Sequence, residues 1–400
     1  MSSSKLALAA VGVASLILAA CGGAAGGGDD DTITFGISAP MSGDAAGWGT
    51  ASKWLAEKAA QEINDAGGIE IDGENLQVEI VIQDNKYTAA DGARAAQTLL
   101  SRDNVDMISF SVGTAPVQAL QSLTEREEML MMTSAWGREI KGPDFPYTFT
   151  TINTPFEVLR PLGEKVVEEE GEIESIALVG INDATGIQSE KVAKEVWTDL
   201  GVDVVSSDLY EHGTTEFSPI ATKLLSTSPE AIDLTTLTPA ATPLLLNALN
   251  DQGWDGITLI SAGTGGAALL SNAGEAAEGV YLGLSANFGA ETATEKQREL
   301  QEGLREAVGE DLNGVTIGAY DSVVALAAAI EAAGTVDNES VRDALTTTQF
   351  ESSWGPAGFG GEDVYGSKQQ LLTPMIVSQV RDGEYVEIDR IIPDELAELQ

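Results

Sequence analysis

Residues 32–69 constrain the fold of this chain more than any other part of the sequence. This segment begins with an apolar strand at residues 33–37, continues through a loop of small residues, and then shows apolar residues at helical spacing. The helix ends at Gly67 and Gly68, which tolerate the left-handed backbone of a helix C-terminal cap, and an apolar strand follows at residues 78–82. Strand, helix and strand in this order predict a βαβ unit.

The same alternation continues along the chain and predicts two α/β lobes. Strands separated by helices of this length favour a parallel sheet with helices on both faces, and the chain is long enough for two such cores. A C-terminal β-hairpin is predicted around Asp382-Gly383. The predicted strands are residues 106–110, 129–133, 147–151, 176–180, 202–209, 231–237, 257–261, 279–286, 375–380 and 385–388, and the predicted helices are residues 89–101, 115–127, 156–169, 189–200, 215–226, 240–252, 292–308 and 316–333.

The N-terminal segment indicates export and a lipid anchor. Lys5 precedes an apolar run that is too short to span a membrane, and Leu18-Ala19-Ala20-Cys21 matches a lipobox, the signal for lipidation of a cysteine. We therefore expect residues 1–20 to be a signal peptide, Cys21 to carry acyl chains, and residues 21–31 to be a flexible acidic linker. The folded part is then held to the cell membrane, in the periplasm or on the outer face. The alternative is a cleaved signal peptide with an incidental cysteine.

The charge of the chain argues against one class of partner. Asp and Glu number 63 against 21 Lys and Arg, which gives a formal net charge of −42. A surface this acidic repels phosphate backbones, so no nucleic acid partner is expected, and membrane contact is expected through the lipid anchor alone. The excess of acid suggests an ion-rich habitat in which salt screens the repulsion.

Motifs of catalysis are absent from the sequence. It contains no G-x-S-x-G, Walker loop, H-E-x-x-H or C-x-x-C. His212 is the sole histidine and precedes a predicted helix, so we interpret it as an exposed loop residue, with a catalytic role in a hydrolase as the alternative. The glycine-rich residues 263–266 lack the lysine of a phosphate-binding loop. The sequence therefore predicts no enzyme activity, no cofactor and no metal site.

The loops that follow the predicted strands favour a solute-binding cleft. Open α/β sheets bind ligands beyond the carboxyl ends of their strands, and small hydroxyl residues and glycines open helices there. Helix N-termini offer free N–H groups that suit a carboxylate or another acceptor-rich ligand. Ser and Thr at such positions are also ordinary helix caps, but six such loops in two lobes favour a cleft. The loops are residues 42–49, 111–114 and 134–136 in the first lobe and residues 182–186, 237–240 and 262–266 in the second.

The sequence resembles the substrate-binding proteins of ABC importers for branched-chain amino acids and related small polar solutes. The resemblance rests on SAPMSGDAAGWG, EINDAGGI, HGTTEFSPIATKL and GEAAEGVYLG and extends from Ile33 to the C-terminal hairpin. It implies a type I periplasmic-binding fold, an α/β protein with two Rossmann-like lobes, parallel sheets flanked by helices, and three crossover segments that form a hinge. The implied lobes are residues 32–150 with 284–354 and residues 151–283 with 355–400, and residues 279–286 are the return strand to the first lobe.

The resemblance also implies which residues contact the ligand. Trp48 stands where the family carries an aromatic residue that covers the ligand, and Trp136 follows the segment that contacts the ligand's charged end. Amino acid binders place a carboxylate for the ligand ammonium at residues 261–266, but this loop reads SAGTGG. Asp183 could substitute, and Asp233 is a weaker candidate. The expected ligand-binding residues are Trp48, Gly113, Thr114, Ser134, Ala135, Trp136, Asp183, Thr185, Thr238, Gly263 and Thr264.

Together, the anchor signal and the cleft predict a function in transport. We expect the extracytoplasmic solute-binding component of an ABC transporter, which captures an amino-acid-like solute, an amide or an organic acid. The expected partners are the small-molecule ligand and the ABC permease and ATPase subunits, and the protein itself is expected to be a monomer. The alternative is a sensory lipoprotein that reports the solute to a signalling partner, because one fold can serve both functions.

Overall fold

A computed structural model of the chain describes residues 31–261 and 267–399, so Cys21, Gly263 and Thr264 lie outside the described residues. The strands are β1 (Thr32–Ala39), β2 (Ile69–Ile71), β3 (Glu74–Asp84), β4 (Met107–Ser111), β5 (Met131–Thr133), β6 (Thr148–Thr150), β7 (Ser175–Ile181), β8 (Asp203–Tyr210), β9 (Ala231–Thr236), β10 (Ile257–Ile260), β11 (Tyr281–Leu282), β12 (Phe350–Ser352), β13 (Gly355–Ala357), β14 (Phe359–Gly360), β15 (Gln370–Leu371), β16 (Met375–Arg381) and β17 (Glu384–Ile391).

Helices connect most of these strands. They are α1 (Ala46–Asp65), α2 (Ala89–Ser101), α3 (Thr114–Thr124), α4 (Pro155–Glu170), α5 (Ala184–Asp199), α6 (Ser218–Leu225), α7 (Ala241–Asp251), α8 (Ala267–Ala273), α9 (Glu295–Val308), α10 (Gly318–Ala333), α11 (Asn338–Leu345), α12 (Glu362–Tyr365) and α13 (Asp394–Ala397), with short 3₁₀ helices at Arg138–Ile140 and Gly274–Ala277. Among the described residues, no single helix has the length and apolar character to cross a membrane. Helices α10 and α11 meet both criteria only when they are taken together, and this pair is bent by 107°.

Two large sheets organise the chain into two lobes. The first has the strand order β14-β15-β6-β5-β4-β1-β3-β2, and the second has the order β17-β16-β11-β10-β9-β7-β8. The central strands of each sheet run parallel, whereas β2, β14, β16 and β17 form antiparallel pairs at or near the edges. The predicted α/β fold with two Rossmann-like lobes is therefore confirmed, and so is the C-terminal hairpin.

The central strands are buried on both faces, as is typical of parallel sheets between helices. All five residues of β4 and all six of β9 are buried. Adjacent residues of one strand point to opposite faces. Accordingly, Met107 packs in the cluster that contains α1 and α10, whereas Ile108 packs in the cluster that contains α2 and α3.

The chain passes between the two sheets three times, after β6, after β11 and between β15 and β16. The third passage differs from the predicted boundary at residues 354 and 355, because β14 and β15 hydrogen bond within the first sheet. These two-residue strands are too short to show a period of two in the sequence. The passage therefore falls at residues 372–374.

The predicted return strand at residues 279–286 is wrong in extent and in lobe. Only Tyr281 and Leu282 form a strand, and both pair with β10 and β16 in the second sheet. The strand ends at Gly283, where a Cβ atom would lie 2.2 Å from Val158 Cγ1 of α4. This close approach of the backbone to a helix needs glycine, and the apolar pattern alone does not reveal it.

Candidate functional site

Helices α3 and α5 meet at their N-termini, where the two lobes touch. Thr114 is the first residue of α3 and its backbone N–H donates to Thr185 Oγ1 of α5 at 3.1 Å. Both threonines are buried. The structure therefore brings together two predicted ligand residues from different lobes at the carboxyl ends of the strands, where α/β sheets bind ligands.

Local sequence sets the start of each of these helices. Gly113 precedes α3 with a φ of +94°, and a Cβ atom there would lie 2.7 Å from the ring of Tyr87. Asp183 precedes α5 and accepts a hydrogen bond from Gly186 N at 2.9 Å, as a helix N-cap does. Helix α5 therefore begins five residues before the predicted start at residue 189, because this cap acts ahead of the apolar periodicity.

The segment after β5 lies against the start of α3. Ser134 donates from its backbone N–H and from its hydroxyl to the carbonyl of Ser111. The backbone N–H of Trp136 donates to Thr114 Oγ1 at 3.3 Å. Ala135, the residue between Ser134 and Trp136 in the chain, is also buried. The indole of Trp136 is 3% exposed, and its Nε1 has no partner among the described residues. A buried donor without an acceptor is costly, and the oxygen of a ligand or an ordered water would satisfy it.

Trp48 and Tyr87 form an aromatic pair beside this contact. Trp48, in the first turn of α1, is 2% exposed, and its ring centroid lies 5.6 Å from that of Tyr87 at an interplanar angle of 50°. The Tyr87 hydroxyl donates to Thr185 Oγ1 at 3.4 Å. Burial raises the pKa of Tyr87 well above its ordinary value, so its phenol stays a neutral donor. Trp48 is thus connected to the contact between the lobes through the ring of Tyr87.

Tyr87 is a site residue that the sequence analysis missed. Lys86 and Tyr87 have φ angles of +47° and +60°, and two successive non-glycine residues in this region are strained. Buried Asn85 holds the turn, because its amide donates to the carbonyls of Ser38 and Val112 and its Oδ1 accepts from Tyr87 N at 2.9 Å. The only signal in the sequence is an asparagine at the end of a strand, which is common in ordinary turns.

His212 lies between two carboxylates that come from different lobes. Its Nε2 lies 3.1 Å from Asp183 Oδ2, and its Nδ1 lies 3.7 Å from Asp44 Oδ2 in the loop between β1 and α1. Gly213 N also donates to Asp44 Oδ2 at 3.4 Å, and the Tyr87 ring lies edge-on to the imidazole at 5.7 Å. We call Asp44, His212 and Asp183 the charge bridge. His212 lies in an exposed loop, as the sequence predicts, and its imidazole, with a side chain that is 32% exposed, faces a carboxylate on each nitrogen.

The charge bridge fixes the protonation state of its histidine. The hydrogen bond with Asp183 and the nearby carboxylate of Asp44 raise the pKa of His212 to about 9. The interaction with His212 lowers the pKa of Asp44. At neutral pH the bridge therefore holds an imidazolium between carboxylates, and Asp183 is paired within the protein rather than available to a ligand ammonium.

Two further predicted residues are engaged inside the second lobe. Thr238 donates its N–H to the Tyr210 hydroxyl at 3.1 Å, and its Oγ1 accepts from Ala241 N in the first turn of α7. Asp233 accepts from Ser261 Oγ at 2.7 Å and from Trp197 Nε1 at 3.0 Å, and burial raises its pKa to about 6. Both oxygens of Asp233 therefore serve the core, so Asp233 is not the expected partner of an ammonium.

A small cavity lies among the crossovers rather than at the predicted ligand residues. Its volume is about 30 Å³, which is room for ordered water but not for an organic solute. The lining includes Thr151, Ile152, Leu284, Trp354 and Pro374. Within residues 31–261 and 267–399, no cluster of three or more His, Cys, Asp or Glu side chains could hold a metal ion.

Known proteins resemble this chain over most of its length. Residues 32–384 match the family model described as periplasmic binding protein. A leucine-, isoleucine-, valine-, threonine- and alanine-binding protein from Pseudomonas aeruginosa is 27% identical over 330 residues, which cover 82% of this chain and 86% of the relative.

Two solved structures share the fold. A solute-binding protein of an ABC transporter from Rhodopseudomonas palustris, in complex with 3,4-dihydroxybenzoic acid, has a TM-score of 0.75 and 21% identity, over 91% of this chain and 98% of the other. A leucine-binding protein from Thermotoga maritima has a TM-score of 0.73 and 19% identity, over 91% and 100%. The match of the family model to most of the chain assigns this protein to the periplasmic binding protein family.

Proposed function

We propose that this protein is the extracytoplasmic solute-binding component of an ABC importer and that it captures a compact organic acid, amide or amino-acid-like solute between its lobes. One observation carries the proposal. Thr114 at the start of α3 and Thr185 at the start of α5, which belong to different lobes, share a hydrogen bond of 3.1 Å. Both lobes thus contribute to one place at the carboxyl ends of their strands, which is where such sheets bind ligands.

The chemistry of this place supports a ligand with a carboxylate or an amide end. Helices α3 and α5 both begin there, and a helix N-terminus carries a partial positive charge and free N–H groups. The buried Nε1 of Trp136 adds a donor that has no acceptor among the described residues. Such donors favour a ligand group that is rich in acceptors.

The relatives support two classes of ligand that share a carboxylate. The Pseudomonas relative is named for amino acids, and the Rhodopseudomonas structure contains a dihydroxybenzoic acid. The rings of Trp48 and Tyr87 would give a flat or branched apolar body a surface to pack against. A compact carboxylate with an apolar body is therefore the ligand that the site favours.

Closure and anchoring complete the proposed function. The three crossovers would act as a hinge, with residues 32–150 and 284–371 as one lobe and residues 151–283 and 375–400 as the other. Lipidation of Cys21 would hold the protein near its permease and ATPase partners, and closure of the lobes would present the captured solute to them. Replacing Cys21 with Ser should move the protein from the membrane fraction to the soluble fraction, and unchanged membrane retention would contradict the anchor.

Binding by the purified mature protein tests the central claim. Isothermal titration against leucine, valine, benzoate, 3,4-dihydroxybenzoate and short amides should yield saturable binding of one ligand per chain. Trp136→Phe removes the Nε1 donor but keeps a ring, so affinity should fall on the order of tenfold, as for the loss of a hydrogen bond to a charged group. The matched control is Trp254→Phe, since Trp254 Nε1 donates to Thr258 within the second lobe.

Two results would count against the proposal. Affinity of Trp136→Phe equal to that of the parent would remove Trp136 from the site. Normal solute uptake in a deletion strain, together with failure to recover permease subunits with the solubilised protein, would contradict the role in import.

A further inference from the structure

We propose that His212 supplies, from within the protein, the cation that an amino acid would bring as its ammonium group, so that the site selects carboxylates without an α-ammonium. This inference rests on the proposed function of the same cleft. It makes His212 a specificity-determining residue, although its imidazole need not touch the ligand.

The first observation concerns the acids of the cleft. The six loops predicted to line it contain only two carboxylates, Asp44 in residues 42–49 and Asp183 in residues 182–186. The other four loops read SVGT, SAW, LTPA and AGTGG. Within these loops only Asp44 and Asp183 could give a ligand ammonium a counter-charge, and an unpaired buried charge is costly. The nearby carboxylates of Glu139 and Glu211 accept from Gln188 and Asn182.

The second observation is that both carboxylates bind the same imidazole. Asp183 uses Oδ2 for His212 Nε2 at 3.1 Å and Oδ1 for the N–H of Gly186 at 2.9 Å. Asp44 Oδ2 lies 3.7 Å from His212 Nδ1 and accepts from Gly213 N at 3.4 Å. Both oxygens of Asp183 are thus occupied inside the protein, and its side chain is only 10% exposed.

The third observation concerns the groups around the charge bridge. Tyr87 packs its ring edge on the imidazole, and burial raises the pKa values of both Tyr87 and Tyr210, so neither phenol supplies an anion. The pKa of His212 lies at about 9, which keeps it positive at neutral pH. An incoming ammonium would have to displace this imidazolium or lie near it without a partner. A carboxylate meets no such cost and gains the unpaired Nε1 donor of Trp136.

Matched ligand pairs test the inference. Leucine differs from 4-methylpentanoate, and phenylglycine from phenylacetate, only in the α-ammonium group. The parent protein should bind the member without the ammonium more tightly in each pair. His212→Gln should move this preference toward the ammonium ligand on the order of tenfold or more, because two carboxylates lose their cation.

Two control variants separate charge from structure. His212→Lys keeps a cation at this position and should retain the parental preference. Glu211→Gln alters the neighbouring carboxylate, which accepts from Asn182 and lies outside the charge bridge, and should also retain it. Circular dichroism and thermal unfolding identify folded variants. If His212→Gln does not fold, His212→Asn carries the same test.

The outcomes distinguish this inference from the proposed function. Saturable binding with a ligand preference that His212→Gln leaves unchanged would overturn the inference alone, as would a parental preference for the ammonium ligands. Failure of the folded parent to bind any of the carboxylates would overturn the inference, and failure to bind the short amides as well would overturn the proposed function. A preference that changes in His212→Gln but not in His212→Lys supports the inference.

Discussion

The two lobes contribute different chemistry to the proposed cleft, and we call these contributions its two walls. The first lobe contributes the large aromatic side chains of Trp48, Tyr87 and Trp136, of which Tyr87 lies on left-handed backbone. The second lobe contributes small or charged side chains, with Thr185 and His212 at the contact. We therefore expect the first wall to define shape and donors, whereas the second supplies the cation and one of the two carboxylates of the charge bridge. Substitutions in the first wall should affect folding and binding, and substitutions in the second should act mainly on closure and selectivity.

The largest effect is expected for Trp48→Ala. Truncation of this buried ring removes its packing against Tyr87 and leaves a cavity, so the free energy of unfolding should fall by roughly 3–5 kcal/mol. Chemical denaturation measures this loss. Trp54→Ala on the same helix is the control, because its side chain is only partly buried and should cost less. Equal losses in the two variants would show that Trp48 is no more than an ordinary helix residue.

The dependence of stability on pH should differ between the cleft and the hinge. The pKa of His212 is raised from 6.5 to about 9, so its stabilisation is fully present below pH 6.5 and is lost as the pH rises through 9. Burial lowers the pKa of Lys141, which lies 3.8 Å from Glu157 near the first crossover, from 10.5 to about 8. The charged form of Lys141 therefore lowers the free energy of unfolding at low pH, and this destabilisation declines as the pH rises from 8 toward 10.5.

Difference curves separate these two titrations. The free energy of unfolding of the parent minus that of His212→Gln should decrease between pH 6.5 and 9, and the parent minus Lys141→Met should increase between pH 8 and 10.5. Tyr87 and Tyr210 stay neutral over this range, and Asp44 stays ionised. A flat difference curve for His212→Gln would mean that the charge bridge does not exist in solution.

A smaller effect is expected for Tyr87→Phe, which removes one hydrogen bond between the walls. The loss of the bond to Thr185 should weaken ligand binding by about 0.5–1.5 kcal/mol while the ring continues to pack on Trp48. Isothermal titration with the tightest ligand measures it. Tyr385→Phe in the C-terminal hairpin is the control, since it lies far along the second sheet from this contact. An unchanged affinity for Tyr87→Phe would assign Tyr87 to packing alone.

The smallest effect is expected for Lys86→Gly, and its sign is opposite. Lys86 is exposed and has a φ of +47°, which glycine adopts without strain, so the variant should be more stable by about 0.5–1 kcal/mol. Lys53→Gly, within α1, should instead lose about 1 kcal/mol, because glycine is unfavourable inside a helix. Destabilisation by Lys86→Gly would show that the turn stores no strain.

Much of the fold could be predicted from local pattern because the central elements are amphipathic or wholly apolar. Helix Ala89–Ser101 begins and ends where the sequence predicts, and the Asp-Gly turn identifies the C-terminal hairpin. Short edge strands carry too few residues to show a period, so β14 and β15 were missed and the third crossover was predicted too early. Tyr87 was missed because its place depends on a left-handed turn that a non-glycine sequence does not signal.

The sequence by itself determined the alternation of the central strands and helices, the two-lobe α/β plan and the loops that precede α3 and α5, since local periodicity and turn residues depend on neighbours along the chain. Only the tertiary structure decided what those residues meet. Asp44 and His212 are 168 residues apart, and they pair only because the fold brings loops of the two lobes together. Charge pairing acts through space over a few ångströms, so a carboxylate that is available in the sequence is already neutralised in the fold.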